Sequence, residues 1–142
     1  MEIDWTDPKA KVSKYFSVKE CLYLPTWSRM ANESDGLDDI IKKNLQSLCH
    51  AMDEVREYFD KPITVHVTYR PDAYNKLIGG APKSKHVQGM AMDFSIKGLT
   101  CDEVRKSFKD NNLLELWGMR CEDLPGSSWT HLDIGGKGFF KP

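Results

Sequence analysis

The stretch Ser84-Lys85-His86-Val87-Gln88-Gly89-Met90-Ala91-Met92-Asp93 carries the decisive signal of this chain. An imidazole and a carboxylate stand either side of a glycine, and the carboxylate sits between Met92 and Phe94 in an apolar run. A carboxylate among apolar side chains needs a partner or a metal. Far downstream, Trp129-Thr130-His131-Leu132-Asp133 supplies a second imidazole inside a strand-like pattern. Two neutral imidazoles and one carboxylate suit a single zinc ion. Three protein ligands leave a fourth position for water, which is the pattern of catalytic rather than structural zinc. Zinc lowers the pKa of such a water to about 7. The bland reading of the same residues is a surface His86 and a capping Asp93, because a His and an Asp seven positions apart also arise by chance.

Working outward, Ala91 to Ile96 reads as a short strand. Ile63 to Tyr69 alternates apolar and polar residues, is rich in β-branched types, and reads as another. Pro71 to Leu77 predicts one or two helical turns, ended by Gly79-Gly80. Before them, Leu37, Ile41, Leu45, Leu48, Met52, Val55 and Phe59 recur at three- and four-residue steps. That spacing puts them on one face of a long helix, capped by Asp35 or Ser34 and left at Pro62. Ser17-Val18-Lys19-Glu20 and Thr100-Cys101-Asp102-Glu103 have capping-box form and predict two further helices, the first stopped by Pro25. Leu116 to Arg120 and Trp129 to Ile134 read as the last two strands. Most neighbouring strands lack a crossover helix between them. The expected fold class is therefore α+β, a small antiparallel sheet packed against helices.

The bulk properties narrow the function classes. The chain has 142 residues, which predicts one domain over 1–142 with a loose N-terminal arm over about 1–12. Hydrophobic residues make up 40% and charged residues 29%, enough apolar material for a core without disulfide staples. The net charge of −1 argues against a nucleic-acid partner, which would call for a basic patch, and gives no reason to expect a membrane surface. Cys21, Cys49, Cys101 and Cys121 form no C-x-x-C pair, so a disulfide framework is not favoured. Met1 to Trp5 lacks the basic start and apolar run of a signal peptide, and no apolar stretch is long enough to span a bilayer. The expectation is synthesis in the cytoplasm, with any extracellular action following release.

Several ordered segments together resemble one family. They are Thr68-Tyr69-Arg70-Pro71, Asn75-Lys76-Leu77-Ile78-Gly79-Gly80-Ala81, Ser84-Lys85-His86 with Gly89, Ala91 and Asp93, and Trp129-Thr130-His131. With Phe16-Ser17 and the long helix, the likeness runs from about Val12 to Asp133. The chain resembles the zinc D-alanyl-D-alanine carboxypeptidase and endopeptidase family in its smaller, single-domain branch. The fold of that family is shared with the zinc-bearing signalling domain of hedgehog proteins. The resemblance implies a zinc metallopeptidase acting on peptidoglycan stem peptides. His86, Asp93 and His131 would be the ligands of one zinc ion. Arg70 would face the scissile carbonyl or a substrate carboxylate, a role suited to a permanently charged, two-pronged donor. Ser84 would bond the substrate's terminal carboxylate. The bland readings are a strand-end charge for Arg70 and an ordinary loop serine for Ser84. A source in a phage lysin or phage particle, released by a holin-type partner, fits the family's habits.

The sequence departs from the family at one place. Many members carry Glu or Asp three residues before the last histidine, as proton carrier for the water and the leaving amine. In this chain that position is Ser128. The nearest substitutes are Glu122, preferred for its longer reach, and Asp123; the bland reading of both is a solvated loop charge. Asp133 shares the His131 face of a regular strand but lies further along it, so it reads as a supporting or surface residue before a base. His50 and His66 read as non-ligands. Trp27, Trp117 and Trp129 read as core or cleft walls, and Gly79, Gly80 and Gly89 as turn residues. A rival function is a non-catalytic zinc domain that binds a peptide or protein; a metal-free scaffold is a third possibility.

Overall fold

The computed structural model describes residues 2–142; Met1, part of the expected domain and arm, lies outside the described residues. Helix α1 (Val18–Leu22) opens on the capping box expected at Ser17 and Glu20. A two-stranded antiparallel ribbon follows, β1 (Tyr23–Leu24) with β2 (Arg29–Met30). Helix α2 (Asp39–Phe59) carries the predicted apolar row, and Leu45, Leu48, Cys49, Met52 and Val55 are wholly buried on it. Its cap is Asp38, whose side chain accepts from the Ile41 amide, and not Asp35 or Ser34. Those two residues belong to a separate 3₁₀ turn, Glu33–Asp35, with its own cap at Asn32. Leu37 is buried but lies ahead of the helix.

The functional sheet has five strands. In chain order they are β3 (Ile63–Val67), β4 (Ala91–Ile96), β5 (Arg120–Glu122), β6 (Thr130–Asp133) and β7 (Gly138–Phe140). In space the order is β3-β4-β6-β5-β7, antiparallel throughout except for the parallel β5–β7 pair. Helix α3 (Asp72–Leu77) lies between β3 and β4 in the chain. Helices α4 (Cys101–Asp110) and α5 (Leu113–Trp117) precede β5. The α4 capping box at Thr100 and Glu103 is present as the sequence predicts.

The α+β class holds, and two expectations within it are corrected. Leu116 to Arg120 is no strand: Leu113 and Leu114 turn inward on α5, which ends at a left-handed Gly118, and the strand begins only at Arg120. The small antiparallel sheet expected is present as β3-β4-β6-β5, and β7 adds a parallel edge to it that had no sequence signal. From Ile3 onward the N-terminal arm is packed rather than loose. Ile3, Trp5 and Ala10 pack on the core, Val12 is buried, and the Val18 amide donates to the Ala10 carbonyl.

One apolar cluster runs from Val12 to Leu132 and joins the α2 row to the inward residues Met92, Phe94 and Ile96 of β4, Cys121 of β5 and Leu132 of β6. Truncating such residues to alanine typically costs about 2–5 kcal/mol. Side chains alternate across a strand, so this packing fixes what the other face displays. Asp93 is turned outward because Met92 and Phe94 are turned inward, and His131 and Asp133 because Leu132 is. Among the described residues, no helix is long and apolar enough to cross a membrane.

Candidate metal centre

Asp93 and His131 are direct partners across the β4–β6 pair, on the open face of the sheet. His86 comes from the 3₁₀ turn Lys85–Gln88, which Ser84 caps by accepting from the His86 amide. The turn ends at Gly89, whose φ of +71° is a left-handed conformation. A Cβ there would lie 3.0 Å from Ile41 Cγ2 and 3.1 Å from the Ile41 carbonyl oxygen, so glycine lets the turn sit directly on α2. The Arg70 amide donates to the His86 carbonyl and ties the turn to the end of β3.

These elements bring one atom of each side chain to a common point. His86 Nε2 lies 3.1 Å from Asp93 Oδ1, and His131 Nδ1 lies 3.0 Å from the same oxygen. All three atoms fall within 4.8 Å of one another. The far nitrogens of both rings are already committed. His86 Nδ1–H donates to the Thr68 carbonyl at 2.7 Å, and His131 Nε2–H donates to Asp133 at 2.8 Å. In their neutral forms both rings therefore turn a bare lone pair toward a carboxylate oxygen. Three lone pairs facing one another repel unless a cation lies among them. The donor set fits zinc, and the outer hydrogen bonds are of the kind that fix imidazole tautomers at metal sites.

Electrostatics give the same picture for the metal-free protein. Burial opposes a charge on His131, but hydrogen bonds to Asp133 and Asp93 outweigh it and raise its pKa to about 9. Burial likewise works against the Asp93 carboxylate, and the two histidines more than reverse it, holding it well below the usual range. A proton on His131 stands in for the metal charge.

Asp133 is the residue whose role the sequence left least defined. It is fully buried. Oδ1 accepts from Arg120 Nε at 2.9 Å and from the Gly135 amide at 3.0 Å, while Oδ2 accepts from Arg120 Nη2 at 3.0 Å as well as from His131. Burial raises its pKa, and these donors bring it down to about 2. The signal for it was the alternation that puts His131 and Asp133 on one face. Its partner Arg120 is distant in sequence and carried no such signal.

The other candidates divide. A cleft of about 450 Å³ opens over the cluster, and Arg70, Ser84, Glu122 and Trp129 line it together with His86, Asp93 and His131. In the β5–β6 register Arg120 pairs with Asp133 and Cys121 with Leu132, so the next step along β5 brings Glu122 level with His131. Asp123 does not line the cleft; its side chain accepts from Lys141 Nζ at 3.1 Å. Arg70 Nη2 donates to Ser84 Oγ at 3.2 Å. His50 is exposed on α2, and His66 is exposed on β3.

A largely buried His–Asp–His cluster at the floor of an open cleft is the arrangement a metal-dependent hydrolase needs. The sequence model of the peptidase M15 family matches residues 16–133, from the start of α1 to the end of β6. The chain belongs to that family, the zinc D-Ala-D-Ala carboxypeptidases and their relatives, and is thereby a zinc metallopeptidase in class. Among curated proteins, no match to the chain was found.

Proposed function

We propose that this protein cuts a peptide bond in bacterial peptidoglycan stem peptides, as a D-Ala-D-Ala carboxypeptidase or a murein endopeptidase. The observation that carries the reading is the convergence of His86 Nε2, Asp93 Oδ1 and His131 Nδ1 beneath an open cleft. Those three atoms would hold zinc. When bound, zinc supplies a Lewis acid that makes water nucleophilic near neutral pH and polarises the scissile carbonyl.

The chain's own residues supply the rest. Glu122 takes the proton from the attacking water and returns it to the leaving amine, standing in for the carboxylate missing at Ser128. Its place on the His131 side of the open face favours it over Asp123, which is engaged by Lys141. Arg70 donates to the carbonyl oxygen as negative charge grows there, or holds a substrate carboxylate. Ser84 Oγ already accepts from the His86 amide and from Arg70, which leaves its hydroxyl proton free to donate to a carboxylate. The cleft lining holds five cationic residues (Arg70, Lys83, Lys85, Arg120, Lys141) against three acidic ones (Asp93, Glu122, Asp133). That balance favours a peptide bearing carboxylates.

Purified peptidoglycan and a D-Ala-D-Ala peptide, incubated with zinc-loaded protein, should release products visible by mass spectrometry. Chelator should stop the release and added zinc restore it. Glu122→Gln should keep the metal and lose most turnover. The second reading, a zinc-bearing domain that binds peptide without cutting it, draws on the serine at position 128. It gains if the zinc-loaded chain binds these peptides and leaves them intact.

A further inference from the structure

We propose that the cleft continues past Asp93 into a second basin on the β3 side, where His66 holds the substrate backbone beyond the scissile bond and sets the preferred peptide length. This rests on the zinc-peptidase reading above. A cavity of about 320 Å³ is lined by His66, Asp93, Ser128 and Trp129. Asp93 and Trp129 also line the main cleft, so the two basins share a wall at the metal cluster itself. An extended peptide lying in the main cleft and crossing the Asp93–His131 pair enters this basin next. The short Ser128 side chain leaves the entrance open.

The backbone aims His66 there. In the β3–β4 ladder Val65 pairs with Phe94 and Val67 with Asp93, so the register slips between Val65 and Val67 and His66 is the unpaired extra residue. A bulge of this kind re-aims a side chain and is common beside active sites. His66 keeps the exposed phase of the β3 alternation, on the open face that Asp93 shares, and the slip in register sets it beside Asp93 without pairing it. Its ring is held at one end, with Nε2 2.8 Å from Ser95 Oγ. Among the described residues, Nδ1 has no hydrogen-bond partner. Because the Ser95 hydroxyl can give or take the shared proton, Nδ1 is free to accept or to donate. A peptide bond offers both partners. Trp129, 41% exposed, adds an apolar wall for the Cα side of the same segment. The ligand class is an extended peptide backbone, recognised at least one residue away from the reacting carbonyl.

The test uses the zinc-loaded full chain and two peptides with the same scissile bond, one ending close to it and one extended by two residues on each side. For the extended peptide, His66→Ala should raise KM about tenfold, the effect of losing one hydrogen bond of about 1.4 kcal/mol. Its kcat should stay within about twofold, the short peptide should be unaffected, and zinc content should remain one per chain. His66→Gln, which keeps a donor and an acceptor, should recover part of the loss. Equal KM values for wild type and His66→Ala on the extended peptide overturn the proposal. So does a fall in kcat on both peptides, which would put His66 in the chemistry itself. If wild type cuts neither peptide, the hydrolase reading fails, and the basin is judged by binding. In that case the His66 ring resonances of the zinc-loaded protein must shift with the extended peptide and not with the short one. Unmoved resonances refute the basin.

Discussion

Replacing Asp133 by asparagine probes the support beneath the metal cluster without changing its shape. The carboxylate has four donors, two on each oxygen: Arg120 Nε and the Gly135 amide on Oδ1, Arg120 Nη2 and His131 Nε2 on Oδ2. Asparagine keeps one accepting oxygen. Whichever way it turns, its NH₂ faces two N–H groups, so at least two bonds are lost and replaced by donor–donor repulsion. Each hydrogen bond to a charged group is worth about 1.5–3 kcal/mol. The Arg120 side chain is 28% exposed and recovers part of its loss from water, which puts the expected destabilisation at about 3 kcal/mol. The His131 ring also loses the carboxylate that fixes its tautomer, and losses of this kind weaken metal binding by about 10–100-fold. Chelator-competition titration with zinc and thermal melts of metal-free and loaded protein read the two effects separately. If Asp133→Asn binds zinc as tightly as wild type and melts at the same temperature, then Asp133 supports neither His131 nor the fold, and its four hydrogen bonds count for nothing at the metal cluster.

His86→Ala should abolish the rise in melting temperature that zinc gives the wild type, about 2.7 kcal/mol at a hundredfold excess over Kd; a preserved zinc-dependent shift would remove His86 from the ligand set. In the metal-free protein the raised His131 pKa adds stability that is complete below its ordinary value of 6.5 and is lost as pH rises through about 9. Melts over pH 6.5–9 should therefore show falling stability, which a flat profile contradicts. Zinc must displace that proton, so its apparent affinity should climb with pH, by up to tenfold per unit, and level off near 9. Gly89→Ala combines a left-handed backbone with contact against Ile41 and should cost about 2–4 kcal/mol in urea denaturation while loosening zinc; an unchanged midpoint would mean the turn can shift freely.

Local signals were legible in the sequence wherever one stretch determined its own structure. The capping boxes at Ser17 and Thr100 and the α2 periodicity are satisfied within a few turns of chain, and the structure has them where the residues point. Met92 and Phe94 marked Asp93 as a carboxylate in an apolar run that needs a partner, and the structure gives it two histidines. What could not be read depends on distant partners. Gly138 to Phe140 has no alternation, and it becomes β7 only because β5 offers a free edge. Leu113 to Trp117 is too short to separate helix from strand by period, and its burial beside α4 settles the matter. The Arg120–Asp133 pair bridges two strands whose adjacency no local pattern specifies. The N-terminal residues carry charges suited to solvent, yet Ile3 and Trp5 anchor them to the body.

Asp93 and His131 meet only because β4 and β6 are aligned rung for rung, and this constrains how the chain can change. One residue inserted between Thr130 and His131 would swing His131 and Asp133 into the apolar interior and push Leu132 out, dismantling the cluster at a stroke. One residue inserted at the exposed Leu124–Gly126 turn would alter only the bend that leads into β6. Length variation is thus tolerable in that turn and ruinous at the paired strands beneath the cleft, so the chain can lengthen beside the cluster without dismantling it.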